Sequence, residues 1–268
     1  MFFYHEPTQT FTNNYVPLVR RTPVYKFMWF VVNIAIFFCA CGIEDYPVIP
    51  PIPQSNIIQQ FNDRSTVLVP NDYAGTPFTN FAIFYRIYVS DTPQSSITES
   101  IYSAINPTLA SDYNVFKGYI DSTTTINANM DSLFQGRGYK YLDLQGDVSI
   151  FSVLSSSVFG TTLVFDFSSS RAPSMTAGSN TYTLWRSNGN GLFSPRPDRL
   201  FRNREELYRS DNINSTINAD VVEKSGVADG SRLYTYAAMF IVAVGVNTVS
   251  YSNIYSTPAL IHVFQLPD

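Results

Sequence analysis

The stretch Arg232–Asn247, RLYTYAAMFIVAVGVN, constrains this chain more than any other. From Tyr236 to Val244 it carries no charge. A helix needs about 20 apolar residues to cross a bilayer, so the run is too short to span one. Gly245 and Asn247 then bring turn chemistry. The pattern predicts a central strand buried on both faces. Phe78–Ser90, FTNFAIFYRIYVS, is the strongest strand signal in the first half. Phe81, Ile83, Tyr85, Ile87 and Val89 share one face, and Ala82, Phe84, Arg86 and Tyr88 share the other. The second face is mixed, which predicts a strand packed mainly on one side.

Shorter β runs follow the same logic: Ser65–Val69, Leu133–Leu144, Val148–Leu154, Thr161–Phe167, Thr181–Arg186 and Ala259–Leu266. Ser168–Gly178 reads as loop, and Asn188-Gly189-Asn190-Gly191 as a turn, because Asn and Gly tolerate positive φ. Between the strands, Ile97, Ile101 and Ile105 recur at helical spacing until Asn106-Pro107 interrupts them, which predicts a helical insertion over 94–118. The expected fold class is mainly β: an antiparallel β-sandwich over 64–268, with insertions at about 91–130 and 194–230. The late order of a long apolar strand, a turn, Ser256-Thr257-Pro258 and a final strand resembles an immunoglobulin or fibronectin type III-like module. The resemblance covers about half of the chain after the leader and lies at the level of fold, where many functions share one architecture.

The leader has its own signature. Arg20, Arg21 and Lys26 precede the apolar run Phe27–Phe38, in which only Asn33 is polar, and Cys39-Ala40-Cys41-Gly42 follow. A positive segment, an apolar core of about 7–15 residues and small residues at the cut define a secretory signal. Ala40 and Gly42 flank Cys41 with small groups, so a peptidase can reach the backbone and the thiol is free for acylation. Phe38-Cys39-Ala40-Cys41 resembles the lipobox of a bacterial lipoprotein precursor, in the relaxed form of spirochaete lipoproteins, with Phe38 in place of the usual leucine. The resemblance implies cleavage between Ala40 and Cys41, a lipid on Cys41, and a membrane anchor at the cell envelope, in the outer membrane or at the cell surface. Pro47, Pro50, Pro51 and Pro53 then predict a semi-rigid tether over 41–63.

After residue 40 the chain keeps 14 basic and 20 acidic residues, a net charge of −6. That balance argues against nucleic-acid binding, which requires cationic neutralisation of phosphates. Cys41 is the sole cysteine left, so a disulfide within that part is excluded and the domain must rely on its core. His262, in the last predicted strand, is the sole histidine after the leader, where His5 lies. No Ser–His–Asp or Cys–His set stands out, and zinc, which takes three or four N or S ligands, has none, so no cofactor is expected. Asp112, Asp121, Asp131, Asp143, Asp147, Asp166, Asp198, Glu205, Glu206, Asp211, Asp220 and Glu223 are scattered, and Asn212, Asn214 and Asn218 lack the acidic density of a calcium loop. Asp143 and Asp166 are the pair to check for a glycosidase, which needs two carboxylates about 5–9.5 Å apart. Arg196, Arg199, Arg202, Arg204 and Arg209 form a cluster that mixes with acids, as a solvated loop would.

These features predict a lipid-anchored envelope protein without catalytic activity, acting in binding or adhesion or as a structural module, with a protein or glycan as ligand. Two alternatives follow from the same residues. One is a carboxylate-based glycan hydrolase. The other is a subunit of a surface polymer whose last strand, Ala259–Leu266, pairs with a neighbour.

Overall fold

The two long apolar runs pair with each other. A computed structural model describes residues 47–122, 129–146, 148–168, 172–186, 201, 220–227 and 233–267. The leader with Ala40 and Cys41, the Asn188–Gly191 turn and the arginine cluster at 196–209 lie outside the described residues.

In chain order the strands are β1 (Ile57–Gln60), β2 (Arg64–Leu68), β3 (Phe78–Ser90), β4 (Lys140–Tyr141), β5 (Asp143–Leu144), β6 (Thr162–Asp166), β7 (Ser174–Ala177), β8 (Asn180–Trp185), β9 (Val221–Val222), β10 (Tyr234–Val246), β11 (Asn253–Tyr255) and β12 (Ala259–Gln265). The helices are α1 (Tyr102–Ile105), α2 (Pro107–Ile120), α3 (Met130–Gly136) and α4 (Ile150–Val153). The fold is mainly β. One antiparallel sheet runs β1-β2-β6-β7-β8-β5. The other is built on β10, which pairs with β3 along one edge and with β11 and β12 along the other. On the far side of β3 lie β4, antiparallel, and β9, parallel. The early and late stretches grouped by sequence are thus neighbours in one sheet.

The sheets share an apolar core. Val67, Leu163, Phe165, Met175 and Leu184 from the first join Phe81, Ile83, Tyr85, Ile87, Met239, Ile241 and Ile261 from the second. The opposite face of the second sheet, with Phe84, Tyr88, Ala238, Phe240 and Val242, packs beneath Tyr102, Ile105, Leu109, Phe116, Met130 and Phe134 of the helices. Phe134 stacks on Phe84 at 4.3 Å and on Phe116 at 4.2 Å. β10 is buried on both faces as expected. β3 is too, which corrects the one-sided expectation, because the helical insertion lies over its mixed face.

That cover is held by polar chemistry. Asn106 caps α2 by accepting from the Thr108 amide at 2.9 Å, and Pro107 occupies the first helical position, where no amide donor is needed. The Asn106 amide also donates to Val89 at 3.1 Å and Val222 at 3.3 Å, so the cap is fixed to β3 and β9. Asn106-Pro107 ends one helix and starts the next. One turn and a half further on, Asp112 is buried and accepts from Arg86 at 2.6 Å, Arg137 at 2.9 Å and the Tyr88 hydroxyl at 2.7 Å. Since the Tyr88 proton goes to Asp112, the Tyr139 hydroxyl donates to Tyr88, at 2.9 Å. Burial, with Asp112 nearby, pushes both phenols up and keeps them protonated.

Three other segments differ from expectation. Val148–Leu154 contains α4, not a strand, and Ile150 and Leu154, about one turn apart at its ends, are both buried. The first part of Leu133–Leu144 is α3, and only the short β4 and β5 follow Gly138, whose φ is 79°. Within Ser168–Gly178, β7 forms, with Met175 and Ala177 inward and Ser174 and Thr176 more exposed. The described part of the expected tether is laid on the domain. Ile49 and Ile52 are buried in the intersheet core, and β1 begins at Ile57. A Cβ on Gly245 would collide with the Pro77 carbonyl and Ile49, so glycine lets this segment lie against β10.

The Gln54 side-chain amide donates to the Leu260 carbonyl at 2.9 Å and accepts from its amide at 3.0 Å. It meets the outer edge of β12 as a neighbouring strand would. Ser65 adds a bond to the Ile261 carbonyl at 3.0 Å, beside the bulge where β12 shifts register on β10.

Breaking a buried ion pair from one side leaves an uncompensated charge and costs about 3–5 kcal/mol. Asp112→Ala is therefore expected to destabilise the domain by about that amount in urea unfolding. Arg137→Ala, at the wetter side of the network, is expected to cost less than half as much.

Candidate binding cleft

Among the described residues two that are not glycine take a positive φ: Phe61 in the β1–β2 hairpin, and Tyr251, which is also exposed, between β10 and β11. Register pairs Gln60 with Arg64 and leaves Phe61, Asn62 and Asp63 as the turn. Phe61 has φ 56°, a region that a bulky residue without special support avoids. The residue is 85% exposed. Neither packing nor local preference explains a phenylalanine there.

The turn is fixed from outside. His262 Nε2 donates to the Phe61 carbonyl at 2.8 Å. The Gln265 amide donates to the Asn62 carbonyl at 2.7 Å, and the Phe167 amide to the Asp63 carbonyl at 2.7 Å. The Asn62 side chain donates to Gln94 at 2.8 Å and accepts from the Ile97 amide at 3.1 Å. Three successive carbonyls are thus held by β12 and the end of β6, and the side chain between them by the segment leading to α1.

Beside this turn lies an open cleft of about 650 Å³, lined by Phe61, Asp63, Arg64, Ser95, Phe167 and Gln265 among others. Arg64 and Asp166 face each other across β2 and β6 and pair at 3.0 Å. Burial opposes the Asp166 charge, but the Ser168 amide and Arg64 outweigh it and hold its carboxyl below the usual range. Among the described residues, the side chains of Asp63, Ser95 and Gln265 have no hydrogen-bond partner.

His262 is part of this scaffold. It is buried, and because a carbonyl can only accept, its Nε2 carries the proton. Its Nδ1 is buried without a partner. Burial lowers its pKa, against the opposing pull of the Phe61 carbonyl and Asp63. It meets Phe264 edge-on at 5.0 Å, and Phe264 stacks at 4.3 Å on Phe167, a wall of the cleft.

Among the described residues, the acidic candidates Asp143 and Asp166 are not brought together, and Asp147, Asp198, Glu205, Glu206 and Asp211 lie outside them. Asp143 on β5 and Asp166 on β6 are three strand steps apart in one sheet, about 14 Å at ordinary strand spacing, beyond the range of a glycosidase pair. Asp121 pairs with Lys117 at 3.1 Å, and Asp131 accepts from Tyr141 at 2.8 Å. Asp220 forms a buried two-point pair with Arg186, at 2.9 and 2.6 Å. No group of three or more His, Cys, Asp or Glu among the described residues is placed to hold a metal ion. No helix among them is long and apolar enough to cross a membrane. Comparison with protein-family models, curated proteins and solved structures finds no match.

Asn populates the left-handed region far more readily than Phe, and the Phe61 ring buries little. Phe61→Asn is therefore expected to raise stability, by about 0.5–1 kcal/mol in urea unfolding. Because the His262 pKa is depressed in the fold, the unfolded chain alone takes up a proton as pH falls through about 6.5. Stability is then full above that pH and declines below it, toward the folded value. Urea midpoints at pH 7.5 and 5.5 should show that fall, and His262→Gln should reduce it.

Proposed function

We propose that this chain is a lipid-anchored cell-envelope protein whose β-rich domain acts by binding, without catalysis. The observation that carries the binding half is Phe61: an exposed ring on an unfavourable backbone, held there by three successive carbonyl bonds beside a cleft. Local strain of about 1–3 kcal/mol persists where the surrounding structure over-determines it, and such residues cluster at binding sites. The anchored half rests on Arg20, Arg21, Lys26, the apolar run Phe27–Phe38 and the small residues around Cys41. Cleavage before Cys41 would leave a short segment between the lipid and Ile49, the first core residue among the described ones, so the domain would sit close to its membrane, in the outer membrane or at the cell surface.

The immunoglobulin or fibronectin III-like reading draws support from the face-to-face sheets and from β3, β10 and β12 as neighbours. The helical layer and the parallel β9 are additions to such a module. A hydrolase has less support, since Asp143 and Asp166 stand apart. A polymer subunit whose last strand pairs with a neighbour also has less support, because Gln54 and Ser65 already occupy the outer edge of β12.

Intact mass and detergent partitioning test the anchor. The processed chain is expected to begin at Cys41, carry acyl mass and enter the detergent phase. Cys41→Ala is expected to abolish both the acyl mass and the partitioning. A wild-type chain that starts elsewhere and stays in the aqueous phase would overturn the anchor.

A further inference from the structure

We propose that the cleft beside Phe61 binds a neutral oligosaccharide, with a pyranose face laid on the Phe61 ring and its hydroxyls met by Asp63, Ser95, Gln265 and Arg64. This rests on the reading of the cleft as a binding site.

The carbonyls beside the cleft are already used. The carbonyls of Phe61, Asn62 and Asp63 accept from His262, Gln265 and Phe167, and the Ile97 amide is taken by Asn62. An extended peptide binds chiefly by adding main-chain hydrogen bonds to a free edge, and the carbonyls of this turn are not free to accept them. Recognition falls to side chains.

Those side chains suit hydroxyl groups. A sugar hydroxyl both donates and accepts. The Asp63 carboxylate accepts, the Gln265 amide and the Ser95 hydroxyl do both, and the Arg64 guanidinium has N–H groups beyond the one given to Asp166. A wholly apolar ligand would leave these groups without water or partner, at a cost for each. The Phe61 ring supplies the apolar part. Its face carries the negative side of the quadrupole, which favours the C–H groups along one face of a pyranose. Because the backbone beneath it is fixed, little order is lost when a ligand settles on it.

Charge narrows the class. Arg64 is neutralised by Asp166, which leaves Asp63 as the unbalanced charge among the described residues of the cleft. Phosphate groups, sialylated chains and acidic peptides would meet net repulsion, whereas a neutral sugar meets none. The volume, about 650 Å³, lies in the range of small-ligand clefts, and its open side lets a chain run past the site.

The full chain, in a zwitterionic detergent free of sugar head groups, would be titrated calorimetrically with cello-, chito-, malto-, manno- and xylo-hexaose. At least one is expected to bind, with affinity lowered about tenfold or more by Phe61→Ala and severalfold by Asp63→Asn. Arg137→Ala, on the helix-covered face of the second sheet, should leave it unchanged. Thermal melts of each variant separate a lost contact from a lost fold, and Phe61→Asn gives a second variant that removes the ring while relieving the backbone. In parallel, displayed heptapeptides would be selected on wild type and counter-screened on Phe61→Ala. No binding by any hexaose, or binding that Phe61→Ala and Phe61→Asn leave intact, overturns the sugar assignment. If peptides then bind in a Phe61-dependent way, the cleft remains a binding site for another class. If neither sugar nor peptide depends on Phe61, the binding-site reading falls as well.

Discussion

β3 and β10 are each thirteen residues long, pair along nearly their whole length, and are buried on both faces. Strands of that kind cannot face water on either side, so the rest of the chain must supply two covers. The first sheet provides one with Val67, Leu163, Phe165 and Leu184, and the helical insertion provides the other with Phe116, Met130 and Phe134. Neither cover has an equivalent buried pair of its own. Each depends on the apolar surface that β3 and β10 present.

A doubly buried strand pair leaves little room for polar groups, and several of the few that occur are matched in pairs, though Arg86 Nε and Asn80 Oδ1 on β3 are buried without a partner. Arg86 on β3 points into the helical layer and meets Asp112. Ser256 donates to the Thr257 carbonyl and accepts from the Ala243 amide at 2.9 Å, where β11 leaves β10. Arg186 at the end of β8 meets Asp220 just before β9, while the Asp220 carbonyl takes the Ile87 amide at 2.8 Å. Buried ion pairs add little net stability when fully matched, yet mismatching them is expensive. We therefore expect their main effect to be on which arrangement forms: helices over the face that bears Arg86, and the segment at 220 against the far edge of β3.

Much of the sheet core was legible because burial on two faces leaves an uninterrupted apolar run, and burial on one leaves alternation. Tyr236–Val244 shows the first pattern and β6, β8 and β12 were read from shorter runs, whereas Phe81–Val89 was read as one-sided because Arg86 breaks its second face, although both faces are buried. Where short runs were involved, period was the missed signal. Ile150 and Leu154 sit one helical turn apart, but the β-branched Val148 and Val153 beside them read as strand. Met175 and Ala177 alternate with hydroxyl residues and read as loop. The cleft was not legible at all. Its key residue is a phenylalanine at a hairpin turn, and nothing in QFND announces a left-handed backbone that is fixed by His262, Gln265 and Phe167 from distant parts of the chain. His262 was singled out for its rarity, but its part is to hold a carbonyl, which only its position could reveal.

The pairing of β3 with β10 also sets an order of events. Ser90 faces Tyr234, so the two strands meet across a long intervening chain. A chain delivered from its N-terminus, whether by a ribosome or through a translocation channel, would expose β3 before its main partner exists. Until β10 arrives, Phe81, Phe84, Tyr85 and Tyr88 stand on an unpaired strand, the kind of surface that aggregates. Such long-range pairing folds slowly, because the loop must close before its contacts form. The helical insertion and the β1–β2 hairpin emerge in time to shelter it, and a holding chaperone at the site of delivery would do the same.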